Sequence, residues 1–210
     1  MNHRIRTALP VSLALSTLLL AGCYSPGVAN PSGVPVTEMK ADERGFVAGT
    51  GVESQDLVAV TDKMARGILG IPEIANARTT PRIVLDPVVN ETRFPINKDI
   101  FNDRIVNSLM EHAAGKVRFL ARDRMKALER ENELKRAGQV TASSDPNVVE
   151  FRGADYFLTG KLQGLTTKTA QGTSDYVLYS FELIDARTSE IVWRSSSEIK
   201  KQGLEDAAYR

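Results

Sequence analysis

The residues that could do chemistry are few. The 210-residue chain holds one cysteine, Cys23, and two histidines, His3 and His112. A single cysteine excludes a disulfide scaffold and a multi-cysteine zinc site. His3 falls in a leader-like segment, so His112 is the one imidazole left for the rest of the chain. Near the end of an expected helix, it suits an interaction with the helix dipole or with solvent. It leaves no second histidine for base catalysis or a His-rich metal site. Ser195, Ser196 and Ser197 have no histidine beside them and read as polar strand residues. Asp185 and Glu190 flank an expected turn, whereas a glycosidase pair faces across a cleft. No glycine-rich phosphate loop is present. The expectation is no catalytic residue, no metal and no cofactor.

Cys23 is the exception, because of what precedes it. Met1 to Thr7 carries Arg4 and Arg6 and no acid, and Ala8 to Leu20 is mostly apolar. Those thirteen residues fall short of the roughly 20 that span a bilayer as a helix. A basic start, a short apolar run and small residues describe an export signal. The run closes with Leu20-Ala21-Gly22-Cys23, which resembles the lipobox of bacterial lipoproteins. That resemblance implies cleavage before Cys23 and acylation of its thiol. Several acyl chains at roughly 0.8 kcal/mol per buried methylene attach a protein stably. Tyr24, rather than an aspartate, follows the cysteine, which in such lipoproteins favours the outer membrane.

Charge adds an exclusion. Lys and Arg number 27 against 26 acids, and loss of Arg4 and Arg6 with the leader leaves 25 against 26. A balance so near zero exerts no global pull on nucleic acid or anionic lipid. The basic residues between Lys116 and Arg136 alternate with Asp123, Glu129, Glu131 and Glu133, as on a solvated helix face. Glu131 and Lys135 stand at a favourable i,i+4 spacing.

Behind Cys23, residues 24–52 contain 8 glycines and prolines in 29 positions and show no apolar periodicity. Such a stretch cannot bury enough apolar surface to offset its ordering entropy, so a flexible tether is expected. Fully extended it reaches about 100 Å, at roughly 3.4 Å per residue. As a relaxed coil it spans about 30 Å.

The remainder has the pattern of one α/β domain. Ser54 precedes a helix with Leu57, Val58, Val60, Met64 and Ala65, ending near Gly67 and Gly70. Pro72 starts a short helical turn. Arg82 to Leu85, between Pro81 and Pro87, is an expected strand, followed by a loop over 88–97. Asn97 or Asp99 caps a helix with Ile100, Phe101, Ile105, Leu109 and Ala113 on one face, stopped by Gly115. Lys116 to Leu120 alternates as a strand. Asp123 to Ala137 is a charged helix with a narrow core stripe of Met125, Leu128 and Leu134. Asp145-Pro146 opens a short helix holding Val148, Val149 and Phe151. Three strands close the chain, over 155–165, 175–184 and 190–199, with polar links at 166–174 and 186–189. The fold class expected is a single mixed sheet of about four to five strands, helices packed on it, with a C-terminal antiparallel meander.

Four segments in order then carry a family resemblance. They are Arg82-Ile83-Val84-Leu85-Asp86-Pro87-Val88-Val89-Asn90-Glu91-Thr92, Gly115-Lys116-Val117-Arg118-Phe119-Leu120, Gly153-Ala154-Asp155-Tyr156-Phe157-Leu158-Thr159-Gly160, and Glu190-Ile191-Val192-Trp193. Behind a lipobox and a tether, they resemble the LpoB family of outer-membrane lipoproteins that activate class A penicillin-binding proteins, across residues 55–203. The resemblance implies a non-enzymatic activator with a fold similar to the N-terminal domain of TolB. It also implies a leader over 1–22, a lipidated tether over 23–52, an activator domain over 53–203 and a tail over 204–210. The protein would be monomeric and anchored through Cys23, with its domain in the periplasm. Its partner would be a class A penicillin-binding protein and not nucleic acid. The tether is shorter and less proline-rich than in the best-known members, so it would reach the synthase only when nearly stretched.

The expected docking segment is the loop Asn90-Glu91-Thr92-Arg93-Phe94-Pro95. It is polar, carries one aromatic and one Arg, and these residue types often anchor interfaces. Its Asn90 and Thr92 match the family's Asn-x-Thr pattern. The competing expectation is turn chemistry, in which Asn and Thr bond the local backbone. Two other functions stay open. One is an assembly or secretion lipoprotein similar to the curli-export pore family, which would need long amphipathic hairpins. The other is a cell-wall hydrolase.

Overall fold

The computed structural model describes residues 36–45, 48–142 and 151–204. The leader, Cys23 and the tether up to residue 35 lie outside the described residues, as do 143–150, where a short helix was expected, and the tail from 205. Among the described residues, no helix is long and apolar enough to cross a membrane.

A compact unit begins at Met39. Helix α1 (Ser54–Gly70) starts where the Glu53 backbone N–H donates to the Asp56 carboxylate at 2.9 Å. Its buried residues Leu57, Val60, Thr61, Met64, Ala65 and Ile68 recur at three- and four-residue spacings, so one stripe faces the core. Pro72 ends this run and opens a single turn, α2 (Pro72–Ala75). Strand β1 (Arg82–Leu85) follows, then a short strand β2 (Val89–Glu91). Helix α3 (Asp99–His112) buries Phe101, Ile105 and Leu109 against α1 and the sheet. Ala114 and Gly115 leave it with positive φ, a conformation glycine adopts without strain. His112 sits in the last turn, its Nδ1 2.7 Å from the Ser108 carbonyl.

Strand β3 (Arg118–Phe119) leads through a 3-10 turn at Arg122–Arg124 to helix α4 (Met125–Arg136). Three long strands complete the chain: β4 (Tyr156–Thr169), β5 (Gly172–Asp185) and β6 (Ile191–Gly203). The sheet is mixed and six-stranded, ordered β3-β1-β4-β5-β6, with β2 also paired to β4. β1 runs parallel to β3 and β4, and β2 parallel to β4, while β4, β5 and β6 form the antiparallel meander.

Alternation sorts the meander into two faces. Leu158 and Leu162 from β4, with Val177, Tyr179, Phe181 and Leu183 from β5, point into the core under α1 and α3. Phe101 meets Tyr179 there with ring centroids 6.0 Å apart. Burial pushes the Tyr179 phenol far above its usual pKa, with a smaller contribution from the Asp56 charge. Lys161, Glu182 and Arg194 lie on the other face, where cross-strand pairs form between Lys161 and Glu91 at 2.8 Å and between Arg194 and Glu182 at 3.1 Å.

Several expectations are corrected. The loop expected over 88–97 contains β2, because Val89, Asn90 and Glu91 find ladder partners in Lys161, Leu162 and Gln163. Ile100 is exposed, since the inward face of α3 is set by the four-residue spacing of Phe101, Ile105 and Leu109. The strand expected over 116–120 shortens to two residues. α4 buries none of its residues, and Leu128 is 46% exposed, so the expected core stripe does not form. Three large apolar residues among twelve cannot hold a helix to a sheet. Its own pairs, Glu131–Lys135 and Arg130–Glu133, both at 3.6 Å, support it locally. Most of the expected link over 166–174 is ladder, and the strands close through a two-residue turn at Ala170 and Gln171. The end of the expected tether is fixed: Thr50 and Gly51 are buried.

Candidate docking surface

The loop after β2 is shaped by its own side chains. Asn90 Oδ1 accepts from the Thr92 backbone N–H at 3.0 Å and from the Thr92 hydroxyl at 2.7 Å. Asn90 Nδ2 donates to the Phe94 carbonyl at 2.8 Å, and the Phe94 N–H donates to Thr92 Oγ1 at 3.2 Å. Asn90 and Thr92 thus bond the local backbone, as turn chemistry requires. Gly164 lets this turn lie against β4: a Cβ there would come 3.2 Å from the Thr92 Cα.

Arg93 and Phe94 separate. The Phe94 ring turns inward and is 3% exposed, so it belongs to the core. The Arg93 guanidinium lies 4.3 Å from the centre of that ring. It also reaches Asp175 on β5 with two parallel bonds, Nε to Oδ1 at 2.9 Å and Nη2 to Oδ2 at 2.5 Å. Planar, two-point pairing of this kind suits arginine and not lysine.

Asp175 is the hub. Its side chain is 1% exposed. Besides Arg93 it accepts from Thr50 Oγ1 at 2.6 Å and from Thr166 Oγ1 at 2.5 Å. Burial alone would raise its pKa, but the hydrogen bonds from Arg93, Thr166 and Thr50, with the Arg93 charge, outweigh it and hold the carboxyl at about 2. A parallel link fixes the next residue: Lys201 Nζ donates to the Gly51 carbonyl at 2.9 Å and to Asp56 at 2.5 Å. Four segments distant in sequence are therefore tied at one end of the sheet. Asp175 was not among the candidate residues. Its signal was its phase: it shares a strand face with Val177, Tyr179, Phe181 and Leu183, so its charge had to enter the core with a partner.

The outer side of the loop is open to a partner. Val89 is 48% exposed, Pro95 is exposed, and Glu91 bridges to Lys161 and Gln163. Cys23 lies outside the described residues. Among those described, no group of three or more His, Cys, Asp and Glu side chains could hold a metal ion.

The family model of the peptidoglycan-synthase activator LpoB matches residues 56–199, from the first turn of α1 to the middle of β6. The chain belongs to the LpoB family. No curated protein sequence matches it. Solved structures similar to it include the LpoB C-terminal domain from Salmonella enterica, at 14% identity and a TM-score of 0.41, covering 69% of this chain and 98% of that one. The LpoB C-terminal domain from Escherichia coli is similar at 17% identity and a TM-score of 0.40, with the same coverage. Lipoprotein GNA1162 from Neisseria meningitidis is similar at 17% identity and a TM-score of 0.33, covering 58% of this chain and 83% of that one. The assignment to the LpoB family rests on the matched span, which takes in the Asn90–Phe94 loop, Asp175 and most of the meander.

Proposed function

We propose that this LpoB-family chain is an outer-membrane lipoprotein, anchored through Cys23, whose periplasmic domain binds a class A penicillin-binding protein and raises its rate. The family match over residues 56–199 carries this reading. In it the domain acts as a regulator and contributes no catalytic group.

An activator shifts its target only by binding the active conformation more tightly than the resting one. A tenfold change requires about 1.4 kcal/mol of differential affinity. That favours a rigid contact surface, and the Asn90–Pro95 loop qualifies: Asn90 and Thr92 brace its backbone, Phe94 roots it in the core and Arg93 ties it to β5. We assign docking to its outer side, around Val89 and Pro95. The tether raises the effective concentration of the domain near its target.

The alternative of a secretion pore gains little from the long meander. Residues 163–169 of β4 are exposed, yet Leu165 is the one large apolar side chain among them. A lipid-facing barrel strand alternates apolar and polar residues along its length.

The test is to add the purified full chain to a purified class A synthase of the same organism and follow lipid II polymerisation. A rate increase with direct binding is expected. No binding and no rate change with any such synthase would overturn the reading. Sizing in detergent should give a monomer, and a large ring would support the pore instead.

A further inference from the structure

The outer edge of β6 carries no strand. Among the described residues β6 pairs only with β5, and no backbone group of residues 193–199 bonds to another backbone outside that ladder. The hairpin sets which groups are free. The Asp185 N–H donates to the Glu190 carbonyl, while the Ala186 N–H turns the other way, to the Asp155 carbonyl. Odd-numbered residues of β5 therefore aim their backbone groups at β6, and even-numbered ones at β4. Their partners Trp193, Ser195, Ser197 and Ile199 face β5, so Arg194, Ser196 and Glu198 hold their N–H and C=O groups outward. Lys63 of α1 marks this edge, since its Nζ donates to the Ser196 carbonyl at 2.6 Å. That contact covers one carbonyl of the row. An open edge of this length is a template for another strand.

The side chains select the strand that fits. A second β6 laid antiparallel about Ser196 sets Arg194 opposite Glu198 of the second copy, and Glu198 opposite its Arg194. Both side chains stand exposed on the face away from the core. On the face under α1, partly buried Trp193 meets Ile199 of the second copy, an aromatic and a β-branched side chain. Arg194 already bridges Glu182 at 3.1 Å and Glu198 accepts from Tyr176, but a guanidinium and a carboxylate each have further capacity. Moving the centre to Glu198 would set two glutamates face to face, and moving it to Arg194 two arginines, and like charges directly opposite are destabilising. The charge pattern thus fixes partner and register together. We propose that β6 is a self-association edge, at which two copies of this chain join antiparallel about Ser196 into one continuous sheet, Lys63 withdrawing from the carbonyl to admit the second strand. The contact is isologous, so it closes at two copies. It is built from exposed pairs and displaces a lysine on each side, so it is weak: dilute chain stays monomeric, and pairing grows with concentration. β4 and β5 stand between β6 and β2, which leaves the Asn90–Pro95 loop clear.

The test is disulfide trapping of the purified full chain in detergent, with a mild oxidant and at rising concentration. Ser196→Cys should link to itself, because Cα atoms of a hydrogen-bonded pair lie about 5.5 Å apart, within disulfide reach. Arg194→Cys and Glu198→Cys should each link poorly alone, since at roughly 3.3 Å per residue like positions stand about 13 Å apart along the strands. Mixed, the two should link about fivefold to tenfold better. Adding Lys63→Ala to the Ser196→Cys chain should raise its yield about threefold, by removing a weak contact from each copy. The wild-type chain, whose one cysteine is Cys23, and the exposed Thr167→Cys set the level of chance collision. All variants should melt with the wild type. A Ser196→Cys yield no higher than that of Thr167→Cys overturns the proposal. So does Glu198→Cys linking alone as well as in the mixture, or a Lys63→Ala yield that does not rise. If an added class A synthase, and not a second copy, shields the Ser196→Cys thiol from alkylation, the proposal is overturned and the edge belongs to a strand of the synthase.

Discussion

The ring of Phe181 lies directly over Gly160 of the neighbouring strand, so close that a Cβ at 160 would overlap the ring edge. Both residues face the core, and Phe181 is fully buried. Gly160→Ala is therefore expected to destabilise the domain by about 1–3 kcal/mol, the usual range for overpacking. Urea denaturation followed by circular dichroism measures it.

Gly67 of α1 is a second close approach with opposing terms. A glycine inside a helix costs about 1 kcal/mol relative to alanine. Here, however, a Cβ would come 2.9 Å from Cζ2 and 3.1 Å from Nε1 of Trp193 on β6. The indole would have to shift, and with it the packing of α1 on the edge strand. Gly67→Ala is expected to lose stability in spite of its better helix propensity, with a change in Trp193 fluorescence. A gain in melting temperature with unchanged fluorescence would show that the indole moves freely.

Asp175 makes stability depend on acid. Its folded pKa is lowered from 3.8 to about 2. A depressed value means that the contribution is complete above about pH 4 and is lost as the pH falls toward 2. Its size is on the order of 2 kcal/mol. Asp175→Asn should flatten that part of the stability profile. Asp175→Ala should cost about 2–3 kcal/mol at neutral pH, moderated because the Arg93 side chain is 32% exposed and can turn to water.

In the docking loop, stability and function can be separated. Phe94→Ala empties a core position and should cost about 3–5 kcal/mol. Asn90→Ala removes the acceptor of the Thr92 N–H and hydroxyl and the amide that donates to the Phe94 carbonyl, and should cost about 1–3 kcal/mol. Exposed Pro95 should tolerate replacement by Ser within about 0.5 kcal/mol, while synthase binding falls if the outer side of the loop is the contact. Titration calorimetry beside thermal melts distinguishes the two effects.

Mass spectrometry of the membrane-extracted chain should show a mature N-terminus at Cys23 carrying acyl chains, and Cys23→Ala should lose both the acyl chains and the cleavage before residue 23. A wild-type chain without acyl chains on Cys23 would remove the lipid anchor from the proposed function.

Much of the fold was legible because its signals are local. Pro81 and Pro87 bracket β1, and the spacing of Phe101, Ile105 and Leu109 marks α3. β2 was not legible, since three residues between two loops carry no period and their partners lie some seventy positions later on β4. The short hairpin turn was hidden by Thr166 to Thr173, polar residues that resemble a loop yet pair through their backbones. For the docking loop, the bonds of Asn90 and Thr92 follow from their side chains. The inward turn of Phe94 and the grip of Arg93 on Asp175 depend on where β5 lies, which no local pattern announces.

The attachments at Thr50 and Gly51 also decide how tension enters the molecule. A pull transmitted along the chain from its N-terminal side passes into β5 through Thr50 and Asp175, into β6 through Gly51 and Lys201, and into the cap of α1 through Gly49 and Glu53. The load is divided among three elements that the chain itself connects only much later, so no single one takes it alone.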